Sequence, residues 1–297
     1  MRTVLGGVML ASAAAVAQAQ STNAELRLSH DSDGLNQQSA TAGYAGAAGW
    51  GLKAGAMHFS GPDGWDADGQ RLAATYRRAN AGDRLDANVG VLKLGDHDHV
   101  VGALDVLRSV GPTTSLGVSA ERNLVDSRLG IDAGLVFNSL ALVADHAFNT
   151  RFNVGLAGGA ARFSDDNRRP FLRTRWNASL NEGLGLNAYL KTRSYRNSNP
   201  YRAEYFSPER LNEVSLGLST RLVMAGHAVL SAALDTGEQH TEAGSEPIWS
   251  LLVGVSSMRD APLQWSLALQ AANTAPLIGG TGTYRYTSLV GQLNIPF

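Results

Sequence analysis

Acids stand beside histidines in Asp96-His97-Asp98-His99 and in Asp145-His146. Such neighbours are the raw material of general acid–base and nucleophilic catalysis. Adjacent side chains in a strand point to opposite faces, however, so Asp145 and His146 are not expected to pair as a dyad. The DHDH run reads as a solvated loop, with adventitious metal binding as the lesser alternative. There is no G-x-S-x-G elbow and no H-E-x-x-H helix. The chain has no cysteine, which excludes a thiol nucleophile, disulfides and thiolate metal sites. Neither a cofactor nor a metal is expected.

A second group with chemical potential is basic. Arg173, Arg175, Lys191 and Arg193 lie on one face of two consecutive alternating segments, with Arg221 on the next, and Tyr189 and Tyr195 stand beside them. Arg71 and Arg77 join the set if their segment has the same register. Two readings fit. The stripe attracts anionic substrates, with tyrosines to stack on sugars, or it is an internal ion-pair network with Asp86, Asp105, Glu121 or Asp235.

The elements that must position these residues are strands. Period-two alternation bounded by Gly, Asn, Asp and Pro clusters predicts sixteen. They lie near 23–30, 39–48, 50–59, 70–78, 84–94, 99–109, 113–122, 138–147, 151–163, 170–180, 183–195, 210–222, 226–236, 248–258, 262–272 and 284–297. Trp265, Leu267 and Leu269 alternate with Gln264, Ser266 and Gln270; Leu172 and Trp176 alternate with Arg173 and Arg175. Mid-strand charges facing lipid would cost roughly 2 to 4 kcal/mol each, so they are expected to face inward. The connections alternate between short turns and mostly longer loops, such as 60–69, 123–137, 196–209 and 237–247. An even strand number places both termini on the short-turn side. These features predict an all-β fold: a transmembrane antiparallel β-barrel of about sixteen strands. Soluble sandwiches, propellers and jelly rolls are the competing folds.

Residues 1–19 read as a signal peptide: Arg2, an apolar run from Val4 to Val16, then Ala17-Gln18-Ala19 as a cleavage site. The barrel domain is then expected over 20–297. The formal net charge is −1, so no nucleic-acid partner is implied. Asn123 to Phe137 is the least strand-like stretch. Val125, Leu129 and Val136 have roughly helical spacing, so a short helix or a loop folded into the lumen is expected there. Trp50, Trp65, Trp249, Trp265, Tyr284 and Tyr286 are expected in interfacial belts, with Trp176 an exception near mid-strand.

FSDDNRR at Phe163 to Arg169, YFSPER at Tyr205 to Arg210, HDSDG at His30 to Gly34 and the terminal Phe297 together resemble the carboxyl-terminal barrels of exopolysaccharide export proteins, which secrete bacterial cellulose and poly-N-acetylglucosamine. Phe297 resembles the assembly signal of outer-membrane proteins, which implies the barrel assembly machinery as a partner. Asp165, Asp166 and Asn167 suit a turn, and Ser207-Pro208, following Tyr205 and Phe206, suits a bend. These are either turn devices alone or sugar contacts. The resemblance implies a sixteen-stranded pore in outer-membrane lipid of a bacterium, passing a nascent polysaccharide through a hydrated lumen. Those families carry a tetratricopeptide array before the barrel. Here the first strand is expected within a few residues of the signal peptide, so a separate periplasmic tetratricopeptide partner is implied. The alternatives are a general or sugar-selective diffusion porin, a plugged structural barrel, and an outer-membrane hydrolase such as a lipase or protease.

Overall fold

A computed structural model describes residues 20–80, 82–224, 227–274 and 284–297; the expected signal peptide lies outside the described residues. The first eight strands are β1 (Ser21–Asp31), β2 (Asn36–Ala45), β3 (Trp50–Ser60), β4 (Asp66–Asn80), β5 (Asp83–Leu94), β6 (His97–Ser109), β7 (Thr114–Leu124) and β8 (Val136–Ala147). The rest are β9 (Phe152–Phe163), β10 (Arg168–Asn181), β11 (Leu186–Arg196), β12 (Arg210–Met224), β13 (Ala228–Thr241), β14 (Gly244–Ser257), β15 (Gln264–Ala272) and β16 (Tyr286–Pro296). Each pairs antiparallel with its neighbours in sequence, and β1 pairs with β16 from Ser21↔Pro296 to Asp31↔Tyr286, which closes the barrel. Pro296, which has no N–H to give a ladder, is accommodated as the last residue of its strand.

The alternation sorts side chains as the pattern requires. Leu26, Leu142 and Leu216 are among the most exposed large apolar residues, at 62%, 70% and 63%, and all lie on the outer face. Their intervening neighbours, such as Glu25 and Ser215, face inward. A continuous apolar outer surface of this extent is incompatible with water on all sides; it needs lipid.

Strands on the long-loop side run further than the alternation suggests. The expected loops 60–69 and 237–247 are largely strand: only 61–65 separates β3 from β4, and 242–243 separates β13 from β14. Ladder hydrogen bonds continue through these polar residues because both strands rise together beyond the apolar zone, where sidedness no longer marks them. The loop-length contrast is therefore smaller than expected and, among the described residues, rests on 125–135 and 197–209; most of the expected loop 273–283 lies outside the described residues.

Both of these loops fold over the inside of the barrel. The first carries a short helix, α1 (Arg128–Asp132), capped by Ser127, whose hydroxyl accepts from the Gly130 amide at 3.1 Å. The helical spacing of Val125, Leu129 and Val136 does not describe it: Val125 precedes the helix, Val136 begins β8, and Leu129 is exposed. Ile131 instead packs among Leu35, Phe59, Leu92, Leu94 and Val101, the inner-face residues of the opposing strands and the first hairpin. Val125 and Leu135 join Phe137, Phe163 and Tyr205. The molecule's main apolar cores thus lie inside the barrel at its long-loop end.

The aromatic belt is partly reassigned. Trp50 packs on Tyr76 at 4.7 Å, and Phe297 lies near Tyr44 at 6.4 Å, all at the short-turn end. Trp176 belongs to that same girdle, stacked with Phe148 and Phe152 at 6.4 and 6.0 Å. Trp65 does not lie in a belt: its indole N–H donates to Asp132 Oδ1 at 2.7 Å. Tyr284 is buried rather than interfacial, and burial beside the Asp126 and Asp31 carboxylates pushes its hydroxyl pKa up.

Candidate functional site

The basic stripe is built by the register of β10, β11, β12 and β13. Three inward-facing rows cross these strands: Arg173↔Arg193↔Glu213, then Arg175↔Lys191↔Ser215, then Asn177↔Tyr189↔Gly217↔Asp235. Like charges therefore face each other twice, an arrangement that costs energy unless something neutralises it.

Half of the stripe is neutralised internally. Arg193 Nε donates to Glu213 Oε2 at 2.6 Å, and Lys191 Nζ donates to Asp235 Oδ2 at 2.6 Å. Asp235 Oδ2 also accepts from Tyr189 Oη at 2.9 Å and Ser250 Oγ at 2.6 Å. Gly217 makes this possible, since a Cβ there would stand 2.5 Å from Tyr189 Cζ and 2.6 Å from Asp235 Cβ. The ring lies across the glycine to reach the acid.

Arg173 and Arg175 have no carboxylate within ion-pair distance among the described residues. Arg175 rests over the Tyr189 ring at 4.1 Å and donates to Asn177 Oδ1 at 2.9 Å. Arg173 lies over Phe171 at 5.1 Å, and its Nε has no hydrogen-bond partner. On the same inner face, Asp145 Oδ2 is buried without a partner. Arg221 is on that face too, but exposed near the short-turn end, below the last paired residues of β11. Of the acids expected to pair, Asp235 meets Lys191, and Asp86 meets Arg77 at 2.6 Å and also Arg84. Arg71 donates instead to Asn88, while Asp105 and Glu121 take neutral donors, Ser119 and Asn123. Glu213, which periodicity placed on the inner face of β12, was missed as a partner.

The two motifs meet at the long-loop end. FSDDNRR forms the β9–β10 turn, with Asp166 at φ 69° and the Asn167 amide donating to Asp165 Oδ1 at 3.1 Å. YFSPER lies in the 197–209 loop. Asn167 Nδ2 donates to Tyr205 Oη at 2.8 Å and to Asn197 Oδ1 at 3.0 Å, and Tyr205 Oη donates to Asp165 Oδ2 at 3.1 Å. Burial beside Asp165 pushes the Tyr205 hydroxyl pKa up, so it stays a donor. Arg202 bridges to Asp165 at 2.8 Å. Ser207 Oγ accepts from the Arg202 amide at 2.7 Å, and Pro208 O accepts from Asn197 Nδ2 at 2.5 Å. Asp166, by contrast, points away and pairs with Arg162 at 2.9 Å.

Arg169 sits at the centre. It is fully buried, lies over the Tyr195 ring at 4.4 Å, and donates to Asn197 Oδ1 at 2.8 Å and Phe206 O at 2.7 Å. Phe163 and Tyr205 stack at 4.4 Å, nearly parallel. Ser127 Oγ bonds the Glu204 carbonyl, which ties this knot to the α1 loop. Arg169 and Asn197 were not singled out from sequence. The first lay within a quoted motif; the second sits in a loop without periodicity.

The acid–histidine runs do not assemble. Asp145 is inside and His146 outside, where its Nδ1 lies 2.9 Å from Thr114 Oγ1. His97 Nε2 meets the Asp132 carbonyl at 3.0 Å, and His99 Nε2 is buried without a partner. Among the described residues no cluster of metal-ligating side chains occurs.

With a closed sixteen-stranded barrel and an apolar outer face established, likeness to solved structures becomes informative. No protein-family model matches the chain, and no curated protein sequence does. Among solved structures, it is similar to one described as a bacterial polysaccharide outer membrane secretin, with 15% identity, a TM-score of 0.72, and 95% of this chain and 99% of that one covered. It is also similar to CdiB from Acinetobacter baumannii, with 10% identity and a TM-score of 0.54, over 93% of this chain and 60% of that one. This chain is a bacterial outer-membrane β-barrel. At these identities the likeness is one of fold alone. The orientation follows: both termini and the short turns on the periplasmic side, and the knotted loops outside.

Proposed function

We propose that the chain is an outer-membrane pore for secretion of an exopolysaccharide, acting without a covalent step or cofactor. The observation that carries this reading is the unneutralised pair Arg173 and Arg175 beside Tyr189 on the inner wall. Two guanidinium groups facing the lumen attract acidic groups on a passing chain, and the buried rings of Tyr189 and Phe171 beneath them hold the cations in place. The full-length likeness in fold to a polysaccharide secretin supports the same assignment. Anionic glycan is therefore the expected cargo, delivered by a periplasmic tetratricopeptide partner.

The loop knot favours a second reading, a barrel held shut by its own loops until a partner or substrate opens it. Deletion of the gene should stop secretion of a capsule or biofilm polysaccharide, and normal secretion would remove the export role. Conductance of the purified chain in planar bilayers separates the readings: an open pore conducts alone, whereas a shut one conducts only after the partner is added.

A further inference from the structure

The outer face carries a second basic feature that the lumen does not use. Along β7, β9, β10, β11 and β12 the outward residues run from apolar to small or polar and then end in arginine. Leu116, Val118 and Ala120 lead to Arg122; Leu156, Gly158 and Ala160 lead to Arg162. On β10 Leu172 and Pro170 lead to Arg168, on β11 Leu190, Thr192 and Ser194 lead to Arg196, and on β12 Leu216, Val214 and Asn212 lead to Arg210. Registers place Arg122, Arg162 and Arg168 in one row and Arg196 with Arg210 in a second row two residues nearer the apolar band, since Tyr195 faces Phe171. Arg122 and Arg162 both face Asn138 of β8, Arg162 directly faces Arg168, and Arg196 directly faces Arg210.

Two directly opposed arginine pairs on adjoining hairpins are destabilising unless an anion lies between or above them. Nearby acids do not fully supply it. Asp166 pairs with Arg162 alone, and Glu242 is engaged by the Glu209 and Arg210 amides. Arg162, Arg168, Arg196 and Arg210 are exposed. The outer rim on the other side is different: His58 pairs with Asp68 at 2.8 Å, and Lys93 faces Asp98. The basic arc therefore belongs to β7–β12 and is not a general rim property.

Height identifies what such an arc meets. Arg168 is four residues above the lipid-facing Leu172, about 10 Å along a tilted strand, at the level where acyl chains give way to headgroups. In a bacterial outer membrane the external leaflet is built of phosphorylated glycolipid, and paired guanidinium groups match phosphate oxygens in bidentate fashion. We infer that the outward arc of Arg122, Arg162, Arg168, Arg196 and Arg210 is a docking surface for the phosphate groups of outer-leaflet glycolipid.

The test uses the folded full chain in neutral detergent and measures binding of bis-phosphorylated lipid A by native mass spectrometry. Replacing Arg162, Arg168, Arg196 and Arg210 together with Gln should weaken binding at least about tenfold, while Lys93→Gln on the far rim leaves it unchanged. Dephosphorylated lipid A and free inorganic phosphate should each bind far less than the intact lipid. Wild-type binding should fall steeply with added salt, a readout that does not depend on the quadruple variant folding. Equal binding by that variant with its heat-modifiable mobility retained, or salt-insensitive binding, overturns the inference. So does preference for an acidic polysaccharide such as polygalacturonate over the lipid, which would assign the arc to an emerging chain.

Discussion

Tyr189 donates its hydroxyl to Asp235 Oδ2 at 2.9 Å although a whole strand, β12, separates them. The bond exists because the residue between is Gly217, whose missing Cβ leaves the ring a path. Gly217→Val should displace the ring and destabilise the barrel by about 1 to 3 kcal/mol, whereas Tyr189→Phe, losing one bond, should cost about 1 kcal/mol. Urea unfolding in detergent, followed by mobility on unheated gels, checks the order. Equal effects of the two changes would show that the glycine is not what admits the ring.

Arg173 and Arg175 are two mid-barrel lumen cations without an ion pair among the described residues. Replacing both with Ala should move a conducting pore's selectivity towards cations, measured as the reversal potential in a salt gradient. Replacing Lys191 with Met should change selectivity less but stability more, because it strips Asp235 of its countercharge.

Arg169 holds the extracellular knot through cation–π and hydrogen-bond contacts. Arg169→Leu removes donors from Asn197 and Phe206 and should cost about 2 to 4 kcal/mol locally. If the knot shuts the barrel, the variant should conduct more than wild type in planar bilayers, with faster proteolysis of 197–209. Unchanged conductance would mean that the loops stabilise without gating.

Glu242 supplies a pH test. Its partial burial works against the charged form, but amide donors from Glu209 and Arg210 and the Tyr201 hydroxyl outweigh that and hold its carboxyl below the ordinary range. A lowered folded-state pKa means the stabilisation is present above the unfolded value, about 4.3, and is lost as pH falls through the lower folded one. Hydrogen exchange at the Glu209 and Arg210 amides should therefore accelerate, relative to other loop amides, in acid below that value. Glu242→Gln should abolish the acid-dependent change.

Phe297 lies beside Tyr44 at the seam where β16 meets β1 and is largely exposed. Little packing depends on it, so deleting it should leave detergent refolding nearly intact while sharply reducing folded barrel in cells. A parallel loss in both settings would make its role structural instead of one of recognition by the assembly machinery.

Sidedness was legible in the chain because it is a local property: every second residue of β10, β11 and β12 must face lipid or water, and leucine against arginine leaves no ambiguity. That sufficed for the strand number, the closure and the inward placement of Arg173, Arg175, Lys191 and Arg193. Partner choice was not legible. Glu213 neutralises Arg193 and Asp235 neutralises Lys191 because of cross-strand register, which depends on residues 20 to 50 positions apart in the chain. Nor was the meeting of FSDDNRR with YFSPER around Arg169, since a buried cation reads as a surface one until the loops that cover it are placed. Local alternation fixes which way a side chain points; only the folded barrel fixes what it finds there.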